Sequence, residues 1–337
     1  MNPFSLTSAN DSATAIKTIH GENGAKFLGG GTNLIDLMKE GVERPNRLIA
    51  LQKLPLEKIE ETENGLRIGA LVRNSDASIH PLVKKNYPLL SQAFLSGASP
   101  QLRNMATVGG NLMQRTRCLY FYDVATPCNK REPGSGCSAV EGFNRVNAIL
   151  GTSDQCIATN PSDMNVALAA LEAVVEVEGP NGRRRIPLAE FHRLPGNTPE
   201  RDTNLERDEL ILAVELPKSP FAAHSNYLKI RDRASYAFAL VSVAAALDLD
   251  GDKIRSARMA LGGVAPKPWR SLDAEKLLVG QAASDANFAK AADLLVRDAK
   301  PYRHNKFKIE MARRAVVHAL NEAKRGTKVM DFYVAQL

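Results

Sequence analysis

All four cysteines of the chain fall in one stretch, and this stretch constrains the fold more than any other feature. Cys118, Cys128, Cys137 and Cys156 lie within 39 residues, and the rest of the 337-residue chain contains none. Proline, glycine and serine interrupt any periodicity around them, so residues 116–158 are predicted to form an irregular insertion. This segment is longer than the loops that a compact domain normally uses, and the clustering of all four cysteines in it asks for an explanation.

Three kinds of site explain such a group of cysteines. The gaps between successive cysteines are nine, eight and eighteen residues, whereas zinc sites usually contain close C-x(2–4)-C pairs. Disulfides need an oxidising compartment, and the first 25 residues lack the basic and apolar regions of a secretory signal, so no signal of its own is expected. Four thiolates on an irregular loop suit a [4Fe-4S] cluster, in which each iron binds one cysteine sulfur. The cluster is favoured, and zinc and disulfides stay open as alternatives.

The chain on either side of the insertion has an α+β pattern. In residues 1 to about 115, the spacing of apolar residues predicts strands at 26–28, 47–51 and 66–68 and helices at 33–39 and 88–95. Beyond the insertion it predicts a helix at 164–171 and strands at 173–177 and 210–216. Residues 1–220 are assigned to a first domain and 221–337 to a second. The second is expected to contain strands at 237–249 and 254–261 and helices at 285–299 and 306–323.

Two glycine-rich turns are candidates for binding a phosphate group. Residues 29–31 are glycines between a predicted strand and helix, followed by Thr32 and Asn33. Glycine lets backbone N–H groups approach an anion closely, and a helix start favours negative charge. Residues 107–111, Thr-Val-Gly-Gly-Asn, repeat this chemistry, and two such turns suit a diphosphate. The first turn is not a Rossmann fingerprint, because Leu34 stands where the third glycine is needed, and an ordinary tight turn is the alternative.

Charge and hydropathy argue against two other classes of function. The formal charge is +7, but the only tight basic run, residues 183–185, lies on a predicted hairpin, so no nucleic-acid binding is expected. No segment approaches the roughly 18 apolar residues of a membrane helix, and no membrane span is expected.

The remaining candidate residues give weaker signals. The six histidines are scattered without the spacing of metal ligands. At the start of the helix predicted at 164–171, Ser162 or Asp163 is either the helix cap or a ligand contact.

Five segments occur in an order that resembles one family: FLGGGTNLIDLMK, ATVGGNL, NPSDMNVALAAL, YLKIRDRASYAFALVSVAAAL and MALGGVAPKPWR. Together, over residues 3 to about 330, they resemble the FAD-binding medium subunit of the molybdenum hydroxylases. The resemblance implies an α+β fold: an FAD-binding domain of the vanillyl-alcohol-oxidase (PCMH) type in two subdomains, then a smaller α+β domain of the CO dehydrogenase flavoprotein C-terminal type. Most relatives lack the cysteine insertion. The chain shares an inserted [4Fe-4S] segment with flavin subunits of 4-hydroxybenzoyl-CoA reductase and, more closely, of bacterial periplasmic aldehyde oxidoreductases.

The resemblance also implies which residues contact FAD. The diphosphate is expected on the first glycine turn and the strand before it: Lys26, Phe27, Leu28, Gly29, Gly30, Gly31, Thr32 and Asn33. The other expected contacts are Gly97 and Ala98 at the flavin, Thr107, Gly110 and Asn111 in the second turn, Asp163, Ile211 near the adenine, and Lys229 near the isoalloxazine. A surface position on a strand is the alternative for Lys229. The expected ligands of the [4Fe-4S] cluster are Cys118, Cys128, Cys137 and Cys156.

The function implied is electron transfer, with no catalytic residue on this chain. In the family, a large subunit holds the molybdenum cofactor, a small subunit holds two [2Fe-2S] clusters, and the flavin subunit passes electrons to an external acceptor. A heterotrimeric aldehyde oxidoreductase in the periplasm is expected, exported by a signal on a partner chain. The alternatives are a complex like 4-hydroxybenzoyl-CoA reductase or xanthine dehydrogenase, an independent flavin oxidase, and a non-enzymatic zinc-loop binding module.

Overall fold

Three β-sheets form the framework of the computed structural model, which describes residues 1–328. The strands are β1 (Ser5–Ser8), β2 (Ala25–Leu28), β3 (Arg47–Ala50), β4 (Ile59–Thr62), β5 (Gly65–Gly69), β6 (Val174–Gly179), β7 (Gly182–Pro187), β8 (Leu210–Pro217), β9 (Ser225–Ile230), β10 (Val241–Asp250), β11 (Lys253–Gly262) and β12 (Trp269–Arg270).

Most helices are short, and the longest lies at the end of the described chain. The helices are α1 (Ser12–His20), α2 (Leu34–Lys39), α3 (Asn74–Ile79), α4 (Pro81–Asn86), α5 (Pro88–Ser96), α6 (Pro100–Arg103), α7 (Val108–Leu112), α8 (Leu119–Tyr122), α9 (Ser138–Glu141), α10 (Asp163–Ala170), α11 (Leu188–Phe191), α12 (Leu272–Leu278), α13 (Asp285–Leu295) and α14 (Phe307–Lys324), with a 3-10 turn at Phe221–Ala223. No helix within residues 1–328 is long and apolar enough to cross a membrane.

The first two sheets belong to the first 220 residues. One is parallel, in the order β1-β3-β2, and the other is antiparallel, in the order β4-β5-β8-β6-β7. The hairpin of β6 and β7 carries the basic run. Arg183 lies near Glu176 and Glu178, and Arg184 and Arg185 pair with Glu209 and Glu215. Neighbouring carboxylates therefore pair with all three arginines of this run, as expected for a solvated hairpin.

The third sheet is antiparallel, in the order β12-β11-β10-β9, and its central strand β10 is buried on both faces over most of its length. Along β10, Val243, Ala245 and Leu247 pack with the core of α12, α13 and α14. The intervening Ala244 and Ala246 pack into the core shared with α5 and α10. Burial on both faces explains the nearly continuous apolar run of this strand in the sequence.

The elements predicted from apolar spacing are present, with two corrections. The predicted helix at 285–299 ends at Leu295, because the backbone of Val296 leaves helical geometry (φ -107°, ψ 8°). The predicted strand at 237–249 begins only at Val241, because the preceding residues form a loop in which Tyr236 has a left-handed φ of 49°. The insertion is irregular as predicted, since 116–158 contains only the single-turn helices α8 and α9. The boundary at residue 220 stays a prediction, and residues 329–337 of the second domain lie outside the described part.

Candidate cofactor site

A cavity of about 620 Å³ lies where β2, the turn after it, α7 and the start of β8 meet. Its volume falls in the range of small-molecule and cofactor sites, roughly 300–1,000 Å³. Most of the sequence-predicted contacts line it: Lys26, Phe27, Leu28, Gly29, Gly30, Gly31, Thr32, Asn33, Thr107, Gly110 and Ile211. The two glycine turns, 75 residues apart in sequence, therefore face one space.

The two glycine turns also touch each other. The Cα of Gly29 lies so close to the second turn that a Cβ there would be 2.9 Å from Oγ1 of Thr107. A Cβ on Gly30 would overlap the carbonyl oxygen of Met105. Gly31 adopts a left-handed φ of 75°, which a side chain disfavours. Glycine is thus required here by close approach of the two backbones as well as by the turn.

Asn33 has one partner and one free donor in the cavity wall. Its Oδ1 accepts a hydrogen bond of 2.8 Å from the backbone N–H of Arg115. Its Nδ2 is buried and has no partner among the described residues. Because buried polar groups are nearly always hydrogen-bonded, this donor is expected to meet a bound ligand or water.

A charged network that sequence reasoning missed forms another part of the cavity wall. Glu43 binds Lys26 at 2.5 Å and Arg115 at 2.8 Å. Asp202 binds Arg115 at 2.8 Å and Lys130 at 2.5 Å. Burial alone would raise the pKa of both carboxyl groups, but the neighbouring cations hold each pKa below its usual range. Lys130 belongs to the insertion and Lys26 to β2, so this network ties the cysteine segment to the strand before the first glycine turn.

The remaining predicted contacts form a second group, separate from the cavity lining. Nζ of Lys229 lies 2.7 Å from Oδ2 of Asp163 and donates to the carbonyl of Ser96 at 2.9 Å. A Cβ on Gly97 would lie 3.5 Å from the same Asp163 oxygen, and Ala98 has a left-handed φ of 51°. The side chain of Lys229 is only 5% exposed, so the alternative of a surface lysine is wrong.

Two further side chains complete this second group. The hydroxyl of Tyr227 donates to Oδ1 of Asp163 at 2.7 Å. Burial raises the pKa of Asp163, and Lys229 and Tyr227 oppose that rise. Arg103 donates to the carbonyl of Gly97 at 2.7 Å and so fixes the turn before Ala98. Sequence reasoning missed both residues, although Tyr227 is the first residue of the segment YLKIRDRASYAFALVSVAAAL; Arg103 lies outside the five segments.

Asn111 connects the two groups instead of lining the cavity. Its Oδ1 accepts a 2.7 Å hydrogen bond from Oγ of Ser162. Ser162 also caps α10 by accepting from the N–H of Asn165, and Asp163 is the first residue of that helix. The helix-cap reading of this motif is confirmed for Ser162, and Asp163 has the separate role described above.

The four cysteines surround a second, much smaller pocket. Cys118, Cys128 and Cys156 are buried, Cys137 is half-buried, and all four are free thiols that line this pocket. Burial raises the pKa of the Cys118 thiol and raises that of Cys156 to about 12. Within residues 1–328, no group of three or more His, Cys, Asp or Glu is arranged to hold a metal ion. The cluster ligands therefore stay a prediction.

The cysteine pocket and the large cavity share part of their walls. Lys130 and Ala158 line both spaces. The N–H of Ala158 donates to Sγ of Cys156 at 3.5 Å, and Nδ2 of Asn147 donates to Sγ of Cys118 at 3.4 Å. The sequence-predicted insertion thus closes one side of the cofactor cavity.

His192 is a histidine of the cavity wall, and it is buried and neutral. It is 3% exposed, and Nε2 lies 3.0 Å from the carbonyl oxygen of Leu112. Burial lowers its pKa to about 4. Its Nδ1 is buried and has no hydrogen-bond partner among the described residues.

Comparison with known proteins identifies the family. Residues 2–219 match the family described as the FAD binding domain in molybdopterin dehydrogenase, and residues 226–323 match the CO dehydrogenase flavoprotein C-terminal domain. The chain is 52% identical to the aldehyde oxidoreductase FAD-binding subunit PaoB of Escherichia coli K12, over 96% of this chain and 99% of the relative. It is 29% identical to the glyceraldehyde dehydrogenase medium chain of Sulfolobus acidocaldarius, over 84% and 83% of the two chains.

A solved structure supports the same assignment. Carbon monoxide dehydrogenase from Hydrogenophaga pseudoflava matches with a TM-score of 0.76 and 25% identity, over 96% of this chain and 98% of that chain. The expected α+β fold, an FAD-binding domain followed by a domain of the CO dehydrogenase flavoprotein type, is therefore confirmed. The chain belongs to the FAD-binding medium subunits of the molybdenum hydroxylases, a family of oxidoreductases.

Proposed function

We propose that this chain is the FAD-binding electron-transfer subunit of a molybdenum-containing aldehyde oxidoreductase, and that it also carries a [4Fe-4S] cluster on its four cysteines. FAD, when bound, can accept electrons singly from iron–sulfur clusters and release them in pairs. The chain's own residues bind and orient the cofactors, and substrate oxidation takes place on a partner subunit. Electrons leave the complex to an external acceptor.

The fit of the cavity to FAD rests on its shape and its donors. The first glycine turn lines one wall and a helix starts directly after it, an arrangement in which backbone N–H groups can bind a diphosphate. In the second turn the N–H groups of Gly109, Gly110 and Asn111 donate within the protein, so this turn packs against the first instead. The unpartnered Nδ2 of Asn33 adds a side-chain donor at the same place. We propose that Gly97, Ala98, Asp163 and Lys229 support the flavin end, where the buried ion pair fixes the turn at Gly97.

The observation that carries the cluster proposal is the convergence of all four cysteines on one pocket. Successive cysteines are separated by up to eighteen residues in sequence, yet each one lines the same small space. Four thiols on an otherwise irregular segment match the ligand set of a [4Fe-4S] cluster. Buried thiols with raised pKa values would release protons when they bind iron, which makes cluster assembly dependent on pH.

The partners and substrate are proposed from the relatives. The similar chains are described as medium chains of dehydrogenases, and the 52% identical relative is described as part of an aldehyde oxidoreductase. We therefore propose a heterotrimer with a molybdenum-cofactor large subunit and a small subunit with two [2Fe-2S] clusters, acting on an aldehyde. We propose a periplasmic location with the export signal on a partner. Cell fractionation with an antibody against this chain tests that location.

The cluster is tested by iron content and absorption of the purified complex. With one [4Fe-4S] and two [2Fe-2S] clusters, about eight irons per heterotrimer are expected, together with flavin bands over a broad iron–sulfur shoulder. Cys128→Ser should reduce the count to about four while FAD stays bound. Ser138→Ala, beside Cys137, is the control and should keep all the iron. Zinc in place of iron in the wild type would refute the cluster. If Cys128→Ser instead lost FAD and unfolded, the cysteine site would serve to hold the segment together structurally.

The substrate class is tested with purified heterotrimer and isolated chain. Glyceraldehyde, carbon monoxide, xanthine and nicotinate represent the reactions named for the relatives. We expect the heterotrimer to oxidise the aldehyde and the isolated chain to show no turnover. Turnover by the isolated chain would instead favour an independent flavin oxidase.

A further inference from the structure

Asn147 lies where the cysteine segment meets the C-terminal helix α14, and its side chain points at a cysteine sulfur. Its Nδ2 donates to Sγ of Cys118 at 3.4 Å, within the range of a hydrogen bond to sulfur. Asn147 is 2% exposed and Cys118 is 7% exposed. The contact is therefore shielded from water, which strengthens its electrostatic effect.

The position of Asn147 is set from outside the cysteine segment. Its carbonyl oxygen accepts from Nζ of Lys308 at 3.0 Å and from Nδ2 of Asn305 at 3.3 Å. Both donors are fully buried, and Lys308 also binds the carbonyl of Gly263 at 2.7 Å. The backbone of Asn147 is thus held to the C-terminal domain, which fixes the position from which its side-chain amide reaches the sulfur.

A donor at this place has a defined chemical consequence for an iron–sulfur cluster. Reduction adds one electron, and the extra negative charge spreads over the sulfurs. A hydrogen bond donated to a ligand sulfur stabilises that reduced state more than the oxidised state, so it raises the reduction potential. An amide donor is also uncharged, so the effect needs no change of protonation.

We propose that Asn147 raises the reduction potential of the [4Fe-4S] cluster by donating a hydrogen bond to the sulfur of Cys118, and that Lys308 and Asn305 hold it in place. The inference rests on the cluster proposed above. It assigns to this chain a residue that adjusts the cluster without binding iron. The couple is a one-electron change, and dithionite supplies the electron in the titration that tests it.

The test is a redox titration of the purified heterotrimer, followed by the EPR signal of the reduced [4Fe-4S] cluster. In Asn147→Leu, the ratio of reduced to oxidised cluster at the wild-type midpoint should fall about tenfold, which corresponds to about 59 mV for a one-electron couple. Asn144→Leu is the matched control. Asn144 is also a fully buried asparagine of the segment, but its Nδ2 donates to the carbonyls of Ala139 and Val140. The control should keep the wild-type midpoint.

The possible outcomes separate the two proposals. A wild-type complex without a [4Fe-4S] signal would refute the cluster itself. A wild-type signal with an unchanged midpoint in Asn147→Leu, or an equal fall in Asn144→Leu, would refute the role of Asn147 alone. Asn147→Met is a second variant without a donor, in case the leucine variant does not fold. Loss of cluster iron in both variants would also refute the proposal, since Asn147 would then retain the cluster rather than adjust it.

Discussion

The ammonium nitrogen of Lys229 lies 2.7 Å from Oδ2 of Asp163, and both side chains are at least 93% buried. Lys229 belongs to β9 of the C-terminal sheet, and Asp163 is the first residue of α10. The pair therefore joins the two parts of the chain across their shared core. It also holds the turn at Gly97, because the same ammonium group binds the carbonyl of Ser96.

Replacement of Lys229 by methionine is expected to destabilise the protein strongly. Asp163 would remain as a buried carboxylate without its cation, and breaking a buried pair in this way costs about 3–5 kcal/mol. The free energy of unfolding, measured with urea, should fall by about that amount. FAD content should fall with it if the pair supports the flavin end.

A double variant and a surface variant control this experiment. Lys229→Met combined with Asp163→Asn removes both charges, so it should lose less stability than Lys229→Met alone. Lys253→Met, at an exposed position on β11, should change the free energy of unfolding by no more than about 0.5 kcal/mol. If Lys229→Met were as stable as the wild type, the ion pair would contribute nothing to the free energy of unfolding.

Replacement of Gly30 by alanine tests the contact between the two glycine turns. The new Cβ would overlap the carbonyl oxygen of Met105, so the two backbones must move apart. FAD binding is expected to weaken at least tenfold, measured by titration of the flavin-free protein with FAD. Gly21→Ala is the control, since a Cβ there makes only ordinary contacts of 3.6 and 3.9 Å. Equal FAD affinity of the Gly30 variant and the wild type would contradict a cofactor site between the turns.

The local elements were predictable from sequence because their signals are local. The glycines between β2 and α2, and the apolar run of β10, each mark one element without reference to the rest of the chain. β1 and α1 were not predicted; all four residues of β1 are exposed, so no buried face marks that strand. Local patterns could not show that residues far apart in the sequence contact one cofactor. That prediction came from the resemblance to a family in which the same motifs bind FAD together.

The charged and buried networks were not predictable from sequence. Arg115 meets Glu43 and Asp202, which are 72 and 87 residues away along the chain. No periodicity encodes such pairs, because the partners meet only after the sheets and the insertion have folded. The same holds for Asn147 and Lys308, whose contact depends on how α14 packs against the insertion.

Replacement of Lys130 by methionine is expected to loosen the cysteine segment. Lys130 is 7% exposed and donates to the Asp202 carboxylate and to the carbonyl of Pro199. Loss of a hydrogen bond to a charged group costs about 2 kcal/mol, so cleavage of residues 116–158 by a protease should become roughly 30-fold faster. Lys39→Met, at an exposed position, is the control and should keep the wild-type rate. An unchanged rate in the Lys130 variant would mean that other contacts hold the segment.

The last prediction concerns the stability of the protein in mild acid. Burial lowers the pKa of His192 to about 4 in the folded protein, whereas an unfolded chain has the ordinary value near 6.5. Between these values the unfolded chain binds more protons, so the contribution of this group is fully present above pH 6.5 and is lost as the pH falls toward 4. In the wild type, this group should lower the free energy of unfolding, measured with urea, by about 2 kcal/mol between pH 7.5 and pH 5. His192→Gln should lack that part of the loss, while His318→Gln, at an exposed position, should retain it. If His192→Gln loses as much stability in acid as the wild type, His192 is not the group that titrates.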